Sequence, residues 1–263
     1  MKTVAIAGLG AIGHAVARGI DRGMDGIRLG AVSARDQDAA RARLDTLLHR
    51  PPLVPLPRIA AHADIVVECG GAGVLAEIAA PVLDAGKHLV VLSCGALLSL
   101  PELGLLAGRH RGRIHVPSGA IGGLDAVAAM AEGEIRSARL ISRKPPIALR
   151  AIPWLEQRGI DLREVREPTL VFRGYAAEAA RHFPANLNVA AALSLAGIGA
   201  QRTEVELWAD PHARGNCHAI EVESDSGAMR FSIEATASGN PATSSLAAQS
   251  VLALLRRLGL PGA

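Results

Sequence analysis

The stretch Thr3-Val4-Ala5-Ile6-Ala7-Gly8-Leu9-Gly10-Ala11-Ile12-Gly13 decides the fold. Residues 3–7 are small or β-branched and read as a buried strand. A glycine loop follows at once, and helical spacing then runs from Ala11 to Asp21. The loop fits G-x-G-x-x-G, a weak signal alone. Here it follows a strand, opens a helix and begins a βαβ unit, which is the context a dinucleotide site requires. Gly8 permits the tight turn, Gly10 leaves room for a pyrophosphate, and Gly13 lets helix and strand pack closely. Ala11 and Ile12 belong to the first helical turn, whose N–H groups and dipole attract phosphate. The bland alternative is a merely tight strand–helix turn.

Outward from this loop, strands and helices alternate. Ile27–Ser33 reads as a second strand, followed by a polar helix with Asp36 or Asp38 near its start. Asp64–Glu68, His88–Ser93 and Arg113–Pro117 read as further strands, and Val74–Ala85 as a helix ending at Gly86. Strands separated by helices pair in parallel through right-handed crossovers. The expected fold is therefore α/β: a Rossmann-type doubly wound parallel sheet. The second half differs. Ile135–Ser142 and Thr169–Arg173 read as strands, and Ala176–His182 and Leu187–Ala196 as helices. Glu204–Trp208, His218–Ser224 and Met229–Ala235 then alternate apolar with polar residues, with a turn at Asp225-Ser226-Gly227. That pattern marks a half-buried, mainly antiparallel sheet and a second α+β domain. Thr243–Leu258 is an amphipathic helix expected to return to the first domain. The expected division is 1–118 plus about 241–263, and 119–240.

Composition narrows the classes further. The chain has 263 residues, enough for a substantial core, and 49% are hydrophobic, which excludes intrinsic disorder. Aromatics are only 2% (Trp154, Trp208, Tyr175, Phe172, Phe183 and Phe231), too few for base-stacking platforms. A net charge of +3 without a dense basic run suits small anions better than nucleic acid. Cys69, Cys94 and Cys217 are widely spaced with no C-x-x-C, so neither a metal site nor a disulfide framework is signalled, and a reducing cytosol fits. Glu77, Asp84 and Lys87 interrupt the longest apolar stretches, so no transmembrane helix is expected. The N-terminus lacks the layout of a signal peptide.

The end of the second strand chooses between NAD and NADP. An acidic side chain there would hold the ribose 2′-OH and repel a 2′-phosphate. The sequence has Ser33 at that position and Arg35 two residues on, which favours acceptance of NADP. Two alternatives stay open: a register shift that puts Asp36 on the ribose, and a solvated Arg35 with Asp36 as a helix cap.

Candidate substrate groups lie further along. Pro117-Ser118-Gly119-Ala120-Ile121-Gly122-Gly123-Leu124-Asp125-Ala126 follows the fifth strand, at the sheet edge where such folds bind ligands. Its small residues and backbone would lie against a nicotinamide; a tight domain-crossing turn is the alternative. His218 begins a strand, and an imidazole can exchange protons near neutral pH; a core or surface histidine is the commoner role. Cys69 and Cys94 sit at strand ends, more in the manner of buried small hydrophobes than nucleophiles. Of Asn186 and Asn188, one can cap a helix and the other can bind a ligand. Lys144 precedes Pro145-Pro146 and is either a fixed cation for an anionic substrate or a solvent-facing lysine. Thr243 and Ser244, in Asn240–Ser245, start the last helix and could bind a carboxylate.

Taken in order, GLGAIG, VVECGG (66–71), PSGAIGGLDA (117–126), KPP (144–146), FPANLNVAA (183–191), ADP…NCH (209–218) and NPATSS (240–245) resemble the L-aspartate dehydrogenase family over nearly the whole chain. The resemblance implies reversible oxidative deamination. L-Aspartate and NAD(P)+ give iminoaspartate, then oxaloacetate and ammonia, and iminoaspartate can feed quinolinate and NAD synthesis. It implies an essential histidine at His218, cofactor contacts at Ala120–Gly122 and Asn188, and a homodimer, for which an exposed edge of the second sheet offers a surface. Ser33 replaces the family's acidic residue. The family's NPKTS is NPATSS here, so no lysine role transfers. Two other readings are a dehydrogenase or reductase of the homoserine or dihydrodipicolinate type, and a non-catalytic NAD(P) sensor.

Overall fold

The computed structural model describes residues 1–99, 112–150, 152–183, 188–235 and 245–260. These form two compact units, residues 1–117 with 247–263, and residues 118–246.

In the first unit, strands β1 (Lys2–Ala7), β2 (Ile27–Ser33), β3 (Ile65–Glu68), β4 (His88–Val91) and β5 (Arg113–His115) form one parallel sheet in the order β2-β1-β3-β4-β5. Its helices are α1 (Ala11–Asp21), α2 (Gln37–Leu44), α3 (Ala72–Asp84), α4 (Cys94–Ser99) and, from the chain's end, α9 (Ser245–Gly259). The two-residue period of the strands sorts the core into two faces. Val4, Ile6, Val32, Ile65, Val67 and Val90 point to a cluster with α1 and α9, where Val16, Ile20, Val251 and Leu255 are buried. Ala5, Ala7, Ala31, Val66, Leu89 and Val91 point to the opposite face, against Leu75, Ile78 and Val82 of α3. The alanine side lets that helix approach closely, and aliphatic side chains alone build both layers.

The parallel sheet meets the expectation, and several element limits coincide with it. A departure is the irregularity in β2, where Val4 pairs with Leu29 but Ala5 with Ala31. A Cβ at Gly30 would stand 2.2 Å from the Thr3 side chain, so the bulge needs glycine. A second departure is a 3-10 turn at Leu56–His62, which has no amphipathic period to announce it.

The second unit contains α5 (Leu124–Met130), β6 (Ile135–Lys144), α6 (Pro153–Gln157), β7 (Thr169–Tyr175), α7 (Ala176–His182), α8 (Asn188–Ala196), β8 (Thr203–Ala209), β9 (Cys217–Ser224) and β10 (Gly227–Glu234). The sheet order is β10-β9-β6-β8-β7. Three of the four neighbouring pairs are antiparallel, as expected, while β6 and β8 run parallel. The chain between those two strands contains β7 and three helices, a crossover long enough to permit parallel pairing. Along β6 the residues alternate, with Ala138, Leu140, Ser142 and Lys144 all buried. The opposite face carries ion pairs, Arg139–Glu204 at 3.1 Å and Arg173–Glu206 at 3.0 Å among them.

Candidate active site

In the first unit the glycine loop has the form a dinucleotide needs. Gly8 has a φ of +105°, a conformation that favours glycine, and a Cβ there would lie 2.7 Å from the backbone of Gly70. A Cβ on Gly13 would lie 2.0 Å from the Gly8 carbonyl oxygen, so the helix start is pressed against the turn. At Gly10 a Cβ would meet nothing within 4 Å, which leaves open space over the backbone. No side chain caps the N-terminus of α1, so the N–H groups of its first turn, which includes Ala11 and Ile12, face outward without a side-chain acceptor. This cradle fits a pyrophosphate. Arg43, which no motif announces, donates from α2 to the Leu9 carbonyl and steadies the loop.

Beside the loop lies a cavity of about 820 Å³, whose wall includes Gly8, Ser33, Arg35, Leu53, Pro55 and Val74. Ser33 is buried, and its carbonyl accepts from Gly8 N–H at 2.8 Å. Arg35 is exposed and forms no ion pair among the described residues. Asp36 Oδ1 accepts from Ala39 N–H at 2.9 Å and caps α2. The capping alternative for Asp36 is therefore the geometry observed, and its carboxylate is engaged locally. The side chains of Leu53 and Val74, with Pro55, give the cavity an aliphatic lining suited to a planar base.

Glu68 is a side chain beside the glycine loop that sequence reading did not single out. It is fully buried at the end of β3. Its Oε1 accepts from the N–H groups of Gly70 and Gly71, both at 2.8 Å, and from Ser93 Oγ at 3.0 Å; Oε2 accepts from Ser93 N–H at 2.9 Å. The carboxylate thus ties the turn after β3 to the turn after β4. Gly70 is in turn the backbone against which Gly8 packs. Desolvation raises the Glu68 pKa, against the pull of these donors. The available signal was an acidic residue closing an apolar strand just before two glycines.

Cys69 follows it, half-buried against the α1 core, with its Cβ 3.3 Å from where a Gly13 Cβ would stand. Burial and the neighbouring Glu68 push its thiol pKa upward, and burial pushes that of Cys94 up to about 12. Neither thiol is poised as a nucleophile.

In the second unit the buried face of the sheet changes from apolar to polar at one end. Leu140 pairs with Ile220, and the next inward pair, Ser142 and His218, are cross-strand partners. Ser142 Oγ and His218 Nδ1 are 3.1 Å apart. His218 is 4% exposed and Lys144 3%. Burial, with the Lys144 charge second, lowers the His218 pKa to about 3, so its imidazole is neutral at pH 7. Burial lowers the Lys144 pKa to about 8. No acidic partner of Lys144 is found among the described residues, and the solvent-facing alternative for it is overturned: β6 runs two residues past its expected end and carries the lysine inward.

Ala120 is buried, Gly122 lies under the Phe231 ring, where a Cβ would be 2.9 Å from the ring carbons, and Asn188 is the half-buried first residue of α8. Asn186, Thr243 and Ser244 lie outside the described residues. No group of three or more potential metal ligands occurs among the described residues.

Comparison with known proteins places these units in context. The family model described as aspartate dehydrogenase, C-terminal, matches residues 125–258, and that described as homoserine dehydrogenase, NAD binding domain, matches residues 8–117. An L-aspartate dehydrogenase of Bordetella bronchiseptica is 52% identical over 98% of this chain and 95% of its own length. The chain belongs to the L-aspartate dehydrogenase family. Another member, from Bradyrhizobium diazoefficiens, is 47% identical over 97% of this chain and 90% of its own. The solved aspartate dehydrogenase of Thermotoga maritima superposes with a TM-score of 0.71 at 26% identity, covering 98% of this chain and 97% of that one. A homoserine dehydrogenase of Thiobacillus denitrificans, at 16% identity and a TM-score of 0.64, shares the fold.

The Glu68 clamp can be tested by Glu68→Gln. The amide NH2 replaces one acceptor oxygen and faces an N–H or O–H donor. The variant is expected to lose roughly 2 kcal/mol of stability in urea denaturation and to bind the dinucleotide more weakly. Unchanged stability and affinity would remove Glu68 from this role.

Proposed function

We propose that this protein is an NAD(P)-dependent L-aspartate dehydrogenase, converting L-aspartate reversibly to iminoaspartate and then to oxaloacetate and ammonia. The observation that carries the reading is a buried ammonium, Lys144, with no acidic partner among the described residues, beside a neutral imidazole, His218. An amino-dicarboxylic acid answers both needs: a carboxylate for the cation and a proton-exchanging centre for the imidazole. The names of the nearly full-length relatives support the same assignment.

The first unit holds the dinucleotide through the glycine cradle and the cavity bearing Ser33 and Arg35. A bound nicotinamide dinucleotide supplies the hydride acceptor for C2 of L-aspartate. Ala120, Gly122 and Asn188 are the proposed contacts of its nicotinamide end, and Cys69 lines the glycine loop. Lys144 holds a substrate carboxylate, with Asn186, Thr243 and Ser244 as further candidates for the substrate. Ser142 engages Nδ1 of His218 and fixes the ring. Nε2 then takes a proton from the water that adds to iminoaspartate and returns it to the departing ammonia. The imidazole is uncharged at neutral pH, so its Nε2 lone pair is available to that proton as the water adds.

With Ser33 at the ribose end, Arg35 in no ion pair among the described residues and Asp36 engaged as a cap, NADP is accepted as well as NAD. We further propose a homodimer formed through the second unit, whose edge strand β7 exposes Leu170 and Tyr175. The proposed compartment is the cytoplasm, in keeping with three free cysteines. No helix among the described residues is long and apolar enough to cross a membrane. Supply of iminoaspartate to quinolinate and NAD synthesis is the proposed place of the reaction.

Absorbance at 340 nm with oxaloacetate, ammonia and NADPH or NADH is expected to fall. Cofactor binding without oxidation under any substrate would favour a sensor instead. His218→Ala is expected to lower kcat by roughly 10²- to 10⁴-fold with dinucleotide affinity unchanged, and near-normal turnover would take His218 out of the chemistry.

Arg35→Ala should lower the NADPH/NADH ratio of kcat/KM by roughly tenfold, the value of one charge-assisted contact. Strict use of NADH by the unaltered enzyme would refute the Arg35 assignment.

Lys144 loses its proton as pH rises through about 8. Hence kcat/KM for L-aspartate is expected to decline above about pH 8, and Lys144→Arg should move this limb to higher pH. With its pKa at about 3, His218 contributes no acid limb between pH 5 and 7.

A further inference from the structure

The polar end of the second sheet contains one more rung. Ser142 pairs with His218 and Arg143 with Cys217, so the register continues to place Lys144 opposite Asn216. The Asn216 carbonyl accepts from Ala235 N–H at 3.0 Å, which keeps residue 216 in the pleat beyond the end of β9. Asn216 therefore shares the inward face with His218 and Ile220, two and four residues away. It is 7% exposed.

The two polar rungs differ. Ser142 and His218 satisfy one another. Lys144 and Asn216 do not: Asn216 Oδ1 is a buried side-chain atom with no hydrogen-bond partner, although an ammonium stands on the adjoining strand. Cross-strand neighbours on one face have Cβ atoms about 5 Å apart, within reach of a long side chain. Asp210 does not intervene. Its Oδ1 accepts from His212 N–H at 2.9 Å, and its Oδ2 stands 3.5 Å from Arg143. A buried acceptor without a hydrogen-bond partner thus shares one inward rung with a buried cation that has no acidic partner among the described residues. Leaving such an acceptor unpaired is costly, so a molecule offering it an N–H and the ammonium a carboxylate would be held at this rung.

We propose that Asn216 is a positioning and specificity residue that accepts an N–H of the substrate nitrogen while Lys144 holds a carboxylate. This rests on the L-aspartate dehydrogenase reading. Amine, iminium and ammonia all carry N–H groups that can donate to Oδ1, so one oxygen serves the substrate nitrogen throughout the reaction. A carboxylate has no proton to donate at neutral pH, so Oδ1 turns it toward Lys144. Together the rung orients the substrate end to end and presents C2 with its nitrogen beside His218. The 2-oxo group of oxaloacetate carries no donor, so Asn216 favours the aminated species over the keto acid.

The test is Asn216→Ala, assayed in the reductive direction at saturating oxaloacetate and NADPH or NADH with ammonia varied. The KM for ammonia is expected to rise roughly 10- to 100-fold, with kcat recovered at high ammonia. The KM for oxaloacetate and the dinucleotide Kd should stay within about twofold. Lys144→Met should show the converse pattern, raising the KM for oxaloacetate more than that for ammonia. Asn216→Ser keeps a smaller polar group and is read in the same way if the alanine variant does not fold. An ammonia KM within twofold of the unaltered enzyme, or a lower kcat with unchanged KM, overturns the proposal. If the unaltered enzyme does not aminate oxaloacetate, it is the broader functional reading that fails.

Discussion

The carboxylate of Glu68 has lost all contact with water and is held by four hydrogen bonds from two turns. The donors offset part of the cost of stripping that charge of solvent, and burial still outweighs them in raising the pKa of the carboxylate. The cradle geometry follows from it: Gly70 is fixed, Gly8 packs on Gly70, and Gly13 packs on Gly8. The second unit applies the same constraint differently. Ser142 and His218 meet one another, while Asn216 Oδ1 is buried without a hydrogen-bond partner and Lys144 is buried with no acidic partner among the described residues.

Much of this was legible in the residues. The first-unit strands showed because parallel strands buried on both faces are continuous apolar runs, and β2 and α1 have the limits that the pattern gives. The later strands showed by alternation. What did not show were contacts between distant segments. Glu68 reaches Ser93, 25 residues on, and no spacing rule connects them. Lys144 read equally well as solvent-facing, because its burial depends on two extra residues of β6 and on the neighbouring strands. Asn216 sat in the quoted NCH motif, but its missing partner is a property of three dimensions. The parallel pairing of β6 with β8 likewise lay in the topology.

Ionisation at the site follows from desolvation more than from paired charge. Burial is the largest cause of the lowered pKa values of His218 and Lys144 and of the raised values of Cys69 and Cys94. A dry setting therefore produces a neutral base and an easily deprotonated ammonium without a dedicated carboxylate partner. The same dryness disarms the thiols.

The uneven placement of rings has an optical consequence. Trp154, Phe172, Phe183 and His182 cluster with ring centroids 5.1–6.5 Å apart, and Arg158 lies 4.2 Å over Trp154. Trp208 lies beneath Arg143, at 5.0 Å. All six aromatic residues fall in the second unit, and residues 1–117 and 247–263 contain none. The dinucleotide-binding unit is therefore silent in near-ultraviolet dichroism and tryptophan emission. Any intrinsic optical signal from this chain is a readout of the other unit: denaturation followed by tryptophan emission reports residues 118–246 and not the glycine cradle.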